Sequence, residues 1–224
     1  MADDEAEILR QARVFASGVL AREDDVRLQA IVDEAAAAFG VPVAAVSVAD
    51  RDRQYFPVSV GSNVREIDRS ISFSAHAISD PGAIFCVPDA RTDPRFSANP
   101  LVTGSMRIRF YAGYPLASDE HPALGALCLI DRAARHPLTD AEENLLRDFG
   151  MRCVAEVETG GNAMSHGREA IGLIASQIKK AVFEGNDRLV LALDDILKGV
   201  ERGMALDRKR VIRSILPDTG DNGS

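Results

Sequence analysis

The spacing of hydrophobic positions changes several times along the chain, and each change delimits an element. Ile8, Ala12, Val14, Phe15 and Leu20 fall close to helical spacing. A second helix is better delimited. Leu28, Ile31, Val32 and Ala35 share one face, Asp24 or Asp25 stands where a cap belongs, and Gly40 supplies the stop. Val41 to Val48 is then continuously apolar, the pattern of a strand covered on both faces. From Gln54 to Val60, Phe56, Val58 and Val60 alternate with Tyr55, Pro57 and Ser59. That alternation predicts a hairpin partner with one drier face, and Pro57 favours an edge position for it.

A polar link at 61–68 leads to Phe73–Ile78, which suits a short helix capped by Ser72 and ended by Ser79-Asp80-Pro81-Gly82. Ala83–Val87 reads as a short strand. Pro88–Met106 is a connection too long to be idle, and is expected to be functional or partly helical. From 108, Ile108, Phe110, Ala112, Tyr114 and Leu116 are expected on one face of a strand, with Arg107, Arg109 and Tyr111 on the other. Leu124–Ile130 is apolar at both parities and belongs in the sheet centre, joined to the preceding strand by the loop 117–123.

Thr139 and Glu142 form a capping-box pattern that opens a helix with Leu145, Leu146, Phe149, Val154 and Val157 inward. Beyond Gly160-Gly161, two stripes follow: Ile171, Ile174, Ala175, Ile178 and Val182, then Leu189, Leu193, Ile196, Leu197 and Val200. Glu184–Asp187 reads as the turn between them, with Asn186 or Asp187 as the next cap. Such an antiparallel helical hairpin exposes apolar surface, for which a second copy of the chain is the simplest partner.

At 224 residues with 46% hydrophobic content, the chain suits one domain with appendages or two small ones. Lys and Arg number 26 against 34 Asp and Glu, and the net charge of −8 argues against nucleic-acid binding through phosphate neutralisation. Cys86, Cys128 and Cys153 each lie in apolar runs and read as buried structural thiols. The four histidines show no metal-ligand spacing, so no metal site is expected. No window reaches the roughly 20 apolar residues that cross a bilayer. The acidic start lacks the charge of a signal peptide, so a cytoplasmic location without membrane attachment is expected.

Several segments, in order, carry a resemblance: R-Q-Y-F at 53–56, S-F-S-A-H-A-I at 72–78, V-P-D-A at 87–90, D-P-R-F-S-A-N-P-L-V at 93–102, I-R-F-Y-A-G-Y-P-L at 108–116 and L-G-A-L-C-L-I-D at 124–131. Together they resemble the GAF domain of bacterial sensor histidine kinases and cyclic-nucleotide-type signalling enzymes, over residues 22–158. The resemblance implies a small-molecule or redox sensing module, dimeric through helices at its ends, that relays a change to an output partner. It fixes no cofactor, because relatives hold cyclic nucleotides, bilins, haem, small metabolites or nothing. Where many relatives carry Cys, this chain has Ser74, which removes thiol chemistry there. The asparagine-lysine-phenylalanine-aspartate-glutamate signature, the bilin-attaching cysteine-histidine pair and the paired cysteines of the free methionine sulfoxide reductases are also missing.

The expected fold is α+β: an antiparallel sheet of five to six strands flanked by helices, plus a C-terminal helical hairpin. The expected divisions are an N-terminal helix at 1–21, a sensory domain at 22–158, a hairpin for dimerisation or output at 159–216 and a loose tail at 217–224. Phe56, Phe73, Ser74, His76, Asp89, Phe96, Arg109 and Tyr111 are the candidate ligand-binding residues. Several have two readings, and Ser74 is at best a hydrogen-bond donor. His76 reads a ligand or holds its helix on the sheet by bonding backbone carbonyls. Arg109 grips an anion or pairs with Asp89 or Asp93, and the aromatic residues line a cavity or fill a core. His166 is a candidate phosphoacceptor at the start of the hairpin, although Gly167 follows it where an acidic residue is usual. The expected function is a homodimeric sensory module without enzymatic activity, either acting on a separate signalling partner or being a fragment of a longer protein. The alternatives are histidine phosphotransfer and a ligand-free dimerisation scaffold.

Overall fold

The computed structural model describes residues 2–118, 122–159, 174, 176–178, 180–182 and 184–204. Contacts divide the chain into two compact units, Val19–Gly160 and a second made of Met1–Gly18 with Gly161–Ser224.

The larger unit is built on a six-stranded antiparallel sheet: β1 (Val43–Asp50), β2 (Arg53–Val60), β3 (Glu66–Asp68), β4 (Phe85–Val87), β5 (Phe110–Pro115) and β6 (Gly125–Asp131). Their order is β3-β2-β1-β6-β5-β4. As its unbroken apolar run predicts, β1 is buried at every residue. It pairs with β6 from Val43↔Ile130 to Val48↔Gly125. Ser47, the lone hydroxyl in that run, donates to the carbonyl of Ala126 and accepts from its amide, at 3.1 and 3.3 Å.

Helix α1 (Ala2–Ser17) precedes this unit, and α2 (Val26–Phe39) opens its helical layer. Asp25 caps α2 by accepting from the amides of Arg27 and Leu28, and Gly40 ends it with φ of 57°. Helix α3 (Phe73–Ala77) is capped by Ser72, and α4 (Pro100–Thr103) by Asn99. Helix α5 (Asp140–Thr159) opens with the expected box. The amide of Glu142 bonds the Thr139 hydroxyl, and the Glu142 carboxylate bonds the Thr139 amide.

Helices α2 and α5 cover one face of the sheet, and α3 lies on the other. The two faces are read from β5 itself. Tyr111 joins the cluster around Phe73 of α3, whereas the Tyr114 ring lies against Gly150 of α5. Arg22 fastens the start of the unit to the end of α5, donating to the Glu156 backbone and carboxylate at 2.9 and 3.0 Å.

Two strand expectations are corrected. Strand β2 is not an edge strand, because β3 pairs beyond it. Pro57 is tolerated because β3 pairs only with residues 53–55 and the β1–β2 register shifts between Val46 and Val48. That shift sets Phe56 and Pro57 opposite Ser47, a bulge that needs no ladder donor from Pro57. Ile108 does not share a face with Phe110. Arg107 has φ of 52°, β5 begins only at Phe110, and Ile108 packs with Tyr111 in the α3-side cluster.

In the second unit, α6 (Asp187–Met204) follows the 184–186 turn, where Gly185 has φ of 68° and Asn186 caps by accepting from the amide of Leu189. Leu189, Leu193, Ile196 and Leu197 of α6 form a core with Ile174 and Ala181, and Ala12 of α1 belongs to it. Part of the apolar stripe expected to face a second copy is therefore covered by the chain's own first helix. Val182 and Leu191 remain exposed. His166 and residues 205–216 lie outside the described residues.

Two glycine substitutions test the β1–β6 seam. A Cβ on Gly125 would sit 1.8 Å from the Ser47 carbonyl oxygen, whereas one on Gly40 meets nothing within 4 Å. Gly125→Ala is expected to cost about 3 kcal/mol or more, the upper end of overpacking. Gly40→Ala is expected to cost only about 1–2 kcal/mol, for its left-handed backbone. Urea denaturation of both variants checks the order, and equal costs would remove the seam from its central place.

Candidate functional site

On the α3 side of the sheet lies a chamber walled by Val43 and Ala45 of β1, Phe56 of β2, Phe73 and Ser74 of α3, Leu101 of α4 and Tyr111 and Cys128 of the β5–β6 hairpin. It leaves about 50 Å³ for the centres of water-sized molecules. One water needs about 10–15 Å³ in that measure, so the space suits a few waters or a comparably small molecule. None of its lining residues is charged.

One wall is a chain of hydroxyl and thiol groups. The Tyr111 hydroxyl donates to Ser74 Oγ at 3.0 Å, and Ser74 Oγ lies 3.2 Å from Cys128 Sγ. The Cys128 thiol donates to Ser47 Oγ at 3.3 Å, and Ser47 passes the chain on to the Ala126 carbonyl. Above it, Ser72 accepts from the Ser74 amide and donates to Gln54 Oε1 at 3.2 Å. Burial pushes the Tyr111 hydroxyl well above its ordinary pKa and raises that of the Cys128 thiol, so both stay neutral at physiological pH. A thiol held neutral is a poor nucleophile and a poor redox sensor.

Beside the chamber the aromatic residues form a filled cluster. Phe73 stacks on Phe96 with centroids 4.1 Å apart and on Tyr111 at 5.2 Å. His76 stacks on Phe85 at 5.7 Å and meets the edge of Phe96 at 4.9 Å. Arg95 lies over the rings of Phe85 and Phe96 while bonding both carboxylate oxygens of Asp93. Burying Phe96 contributes roughly 1.5–3 kcal/mol and an aromatic pair about 0.5–1.5 more. An exposed ion pair such as Arg95–Asp93 contributes about 0–1 kcal/mol. Ring packing, rather than charge, therefore seats the 88–106 segment on α3. Asn99 adds a bond to the Ile71 carbonyl at 2.9 Å.

Of the residues singled out from sequence, Phe56, Phe73, Ser74 and Tyr111 line the chamber. Phe96 packs behind Phe73 and does not line it. His76 sits on the outer rim of the ring cluster. Its second reading, bonding to backbone carbonyls, gives way to ring stacking. Arg109 grips Asp89 through two bonds of 2.7 and 2.6 Å, the pairing reading rather than an anion clamp. That guanidinium holds the Asp89 carboxyl below its ordinary pKa. Sequence reasoning missed Ser47, Gln54, Ser72 as a wall residue, and Cys128. The signal for Ser47 was present as a single hydroxyl inside a continuous apolar strand, where a buried polar group must find a partner.

A model of the GAF domain matches residues 25–157. A protein of Pseudomonas aeruginosa named as a cyclic di-GMP phosphodiesterase is 43% identical over 155 residues, 69% of this chain and 26% of that protein. The chain thus spans about a quarter of that relative's length. Among solved structures, a GAF domain region from Geobacter sulfurreducens PCA superposes with a TM-score of 0.50 at 14% identity, covering 59% of this chain and 91% of that one. At that identity the likeness concerns the fold alone. The expectation of no enzymatic activity is overturned by the first of these relatives, which is named as an enzyme. Among the described residues, no helix is long and apolar enough to cross a membrane.

The rim histidine supplies a pH test. Burial, reinforced by Arg95 and opposed by Asp93, holds the folded-state pKa of His76 below 6.5. The unfolded chain then takes up the proton more readily, so this contribution is complete above about pH 6.5 and is lost as pH falls through the folded value. His76→Phe keeps a ring on Phe85 and is expected to flatten the stability profile between pH 7.5 and 5. Denaturation midpoints at the two pH values measure it. An unchanged slope in the variant would assign the dependence to other groups.

Proposed function

This chain belongs to the GAF domain family of sensory signalling modules, and from that membership we propose that residues 22–158 admit a small ligand to the chamber and pass its state to helices at the ends of the unit. The observation that carries this reading is the chamber itself, lined in part by Phe56, Phe73, Ser74 and Tyr111 under the 88–106 segment. Strand β5 supports the relay. Tyr111 faces the chamber and Tyr114, three residues on, lies against Gly150 of α5. A change in the chamber thus has a short mechanical route to the helix that leaves the unit. The module acts as the sensory part of a signalling protein of the cyclic di-GMP kind, in keeping with the 43% identical relative. It works as a homodimer through its terminal helices, with the exposed Val182 and Leu191 available to a second copy.

Native mass spectrometry of the protein purified from its own host, read together with light scattering, tests ligand and assembly at once. A retained small molecule and a dimeric mass are expected. Re-adding that molecule at 100 times its dissociation constant should stabilise the protein by about 2.7 kcal/mol. A monomer carrying no molecule, and showing no thermal shift across a metabolite panel, would refute the reading.

A further inference from the structure

The chamber's chemistry narrows what it admits, on the reading that this chamber is the sensory site. We infer that it takes a small uncharged molecule with a largely apolar body, and that it rejects anions, cyclic di-GMP among them.

The first ground is the set of walls. Val43, Ala45, Leu101, Ile108 and Ile130 present hydrocarbon, and no Lys, Arg, His, Asp or Glu lines the space. Three cations of this face are engaged elsewhere: Arg109 with Asp89, Arg95 with Asp93, and Arg53 with Asp50 and Glu66. A carboxylate or phosphate entering here would lose water without meeting a positive charge.

The second ground is the direction of the hydrogen bonds. Four of the wall hydrogens are already given to the protein. Tyr111 gives to Ser74, Cys128 to Ser47, Ser72 to Gln54 and Ser59 to the Ser62 carbonyl. With the Cys128 hydrogen spent on Ser47, the Ser74–Cys128 contact at 3.2 Å takes its hydrogen from Ser74. An anion, which only accepts, therefore finds these four hydrogens already committed to protein acceptors. Neutral Tyr111 and Cys128 keep their hydrogens across the physiological range.

The third ground is size. About 50 Å³ for the centres of water-sized molecules suits a compound of a few heavy atoms rather than a dinucleotide. Short-chain alcohols and primary amides meet all three conditions.

The test uses the full chain with methyl-labelled Leu101, Met106, Ile108 and Ile130, titrated with 1-butanol, isobutyramide, butyrate and cyclic di-GMP. Two variants narrow the space, Ala45→Leu at the floor and Val64→Phe in the partly exposed rim, so that a fold lost in one leaves the other to report. The alcohol and the amide are expected to shift the chamber methyls saturably, at least tenfold more weakly in a filled variant, while butyrate and cyclic di-GMP leave them unmoved. Saturable binding of butyrate or cyclic di-GMP that a filled variant abolishes would overturn the ligand class and leave the sensory chamber standing. Alcohol binding indifferent to both fillings would place it elsewhere and overturn the inference. No saturable shift with any of the four would overturn the sensory-chamber reading itself.

Discussion

Everything in the larger unit depends on the close pairing of β1 with β6 at the middle of the sheet. Both strands are shut off from water on both faces over most of their length, so their polar groups must be satisfied within the protein. The backbone ladder meets most of that demand. Ser47 adds a second link by bonding both backbone groups of Ala126, and the missing side chain of Gly125 lets the strands approach. A larger residue or a lost hydroxyl at this seam would disturb both faces together.

On the α3 face, the work is divided between apolar packing and a neutral polar chain. Rings from α3, β4, the long connection and β5 seat the 88–106 segment, and the Tyr111–Ser74–Cys128–Ser47 chain ties the short helix to the seam. Charge is kept outside. Arg109 and Arg95 brace the connection through Asp89 and Asp93 without entering the chamber. This arrangement leaves no charged side chain lining the chamber, a poor environment for ionic or thiolate chemistry.

Strand β5 connects the two faces. Its alternation sends one tyrosine to the chamber and another to α5, while Arg22 holds the entry of the unit to the end of that same helix. Family membership and the 43% identical relative set this architecture among signalling proteins. In the second unit α1 shares the core of α6, so the terminal helices are joined within one chain before any second copy is considered.

Helix caps at Asp25, Ser72 and Thr139, the stop at Gly40, the doubly buried β1 and the central β6 were all legible in the sequence, because each rests on local chemistry or on an uninterrupted apolar pattern. So were four chamber residues: Phe56, Phe73, Ser74 and Tyr111. The positions of Ile108 and Pro57 were not. A left-handed Arg107 and a bulge opposite Ser47 each break the two-residue alternation, and neither leaves a periodic trace. Arg109 was visible as a charge on a strand, but only folding brings Asp89 within 2.6 Å of it and turns an apparent anion clamp into a brace. The primary structure thus determined which stretches are dry and where helices begin. Which polar groups meet inside was settled by contacts between residues up to about eighty positions apart, such as Ser47 with Cys128. Hydrogen-bond direction belongs to such a constellation as a whole and to no single residue in it.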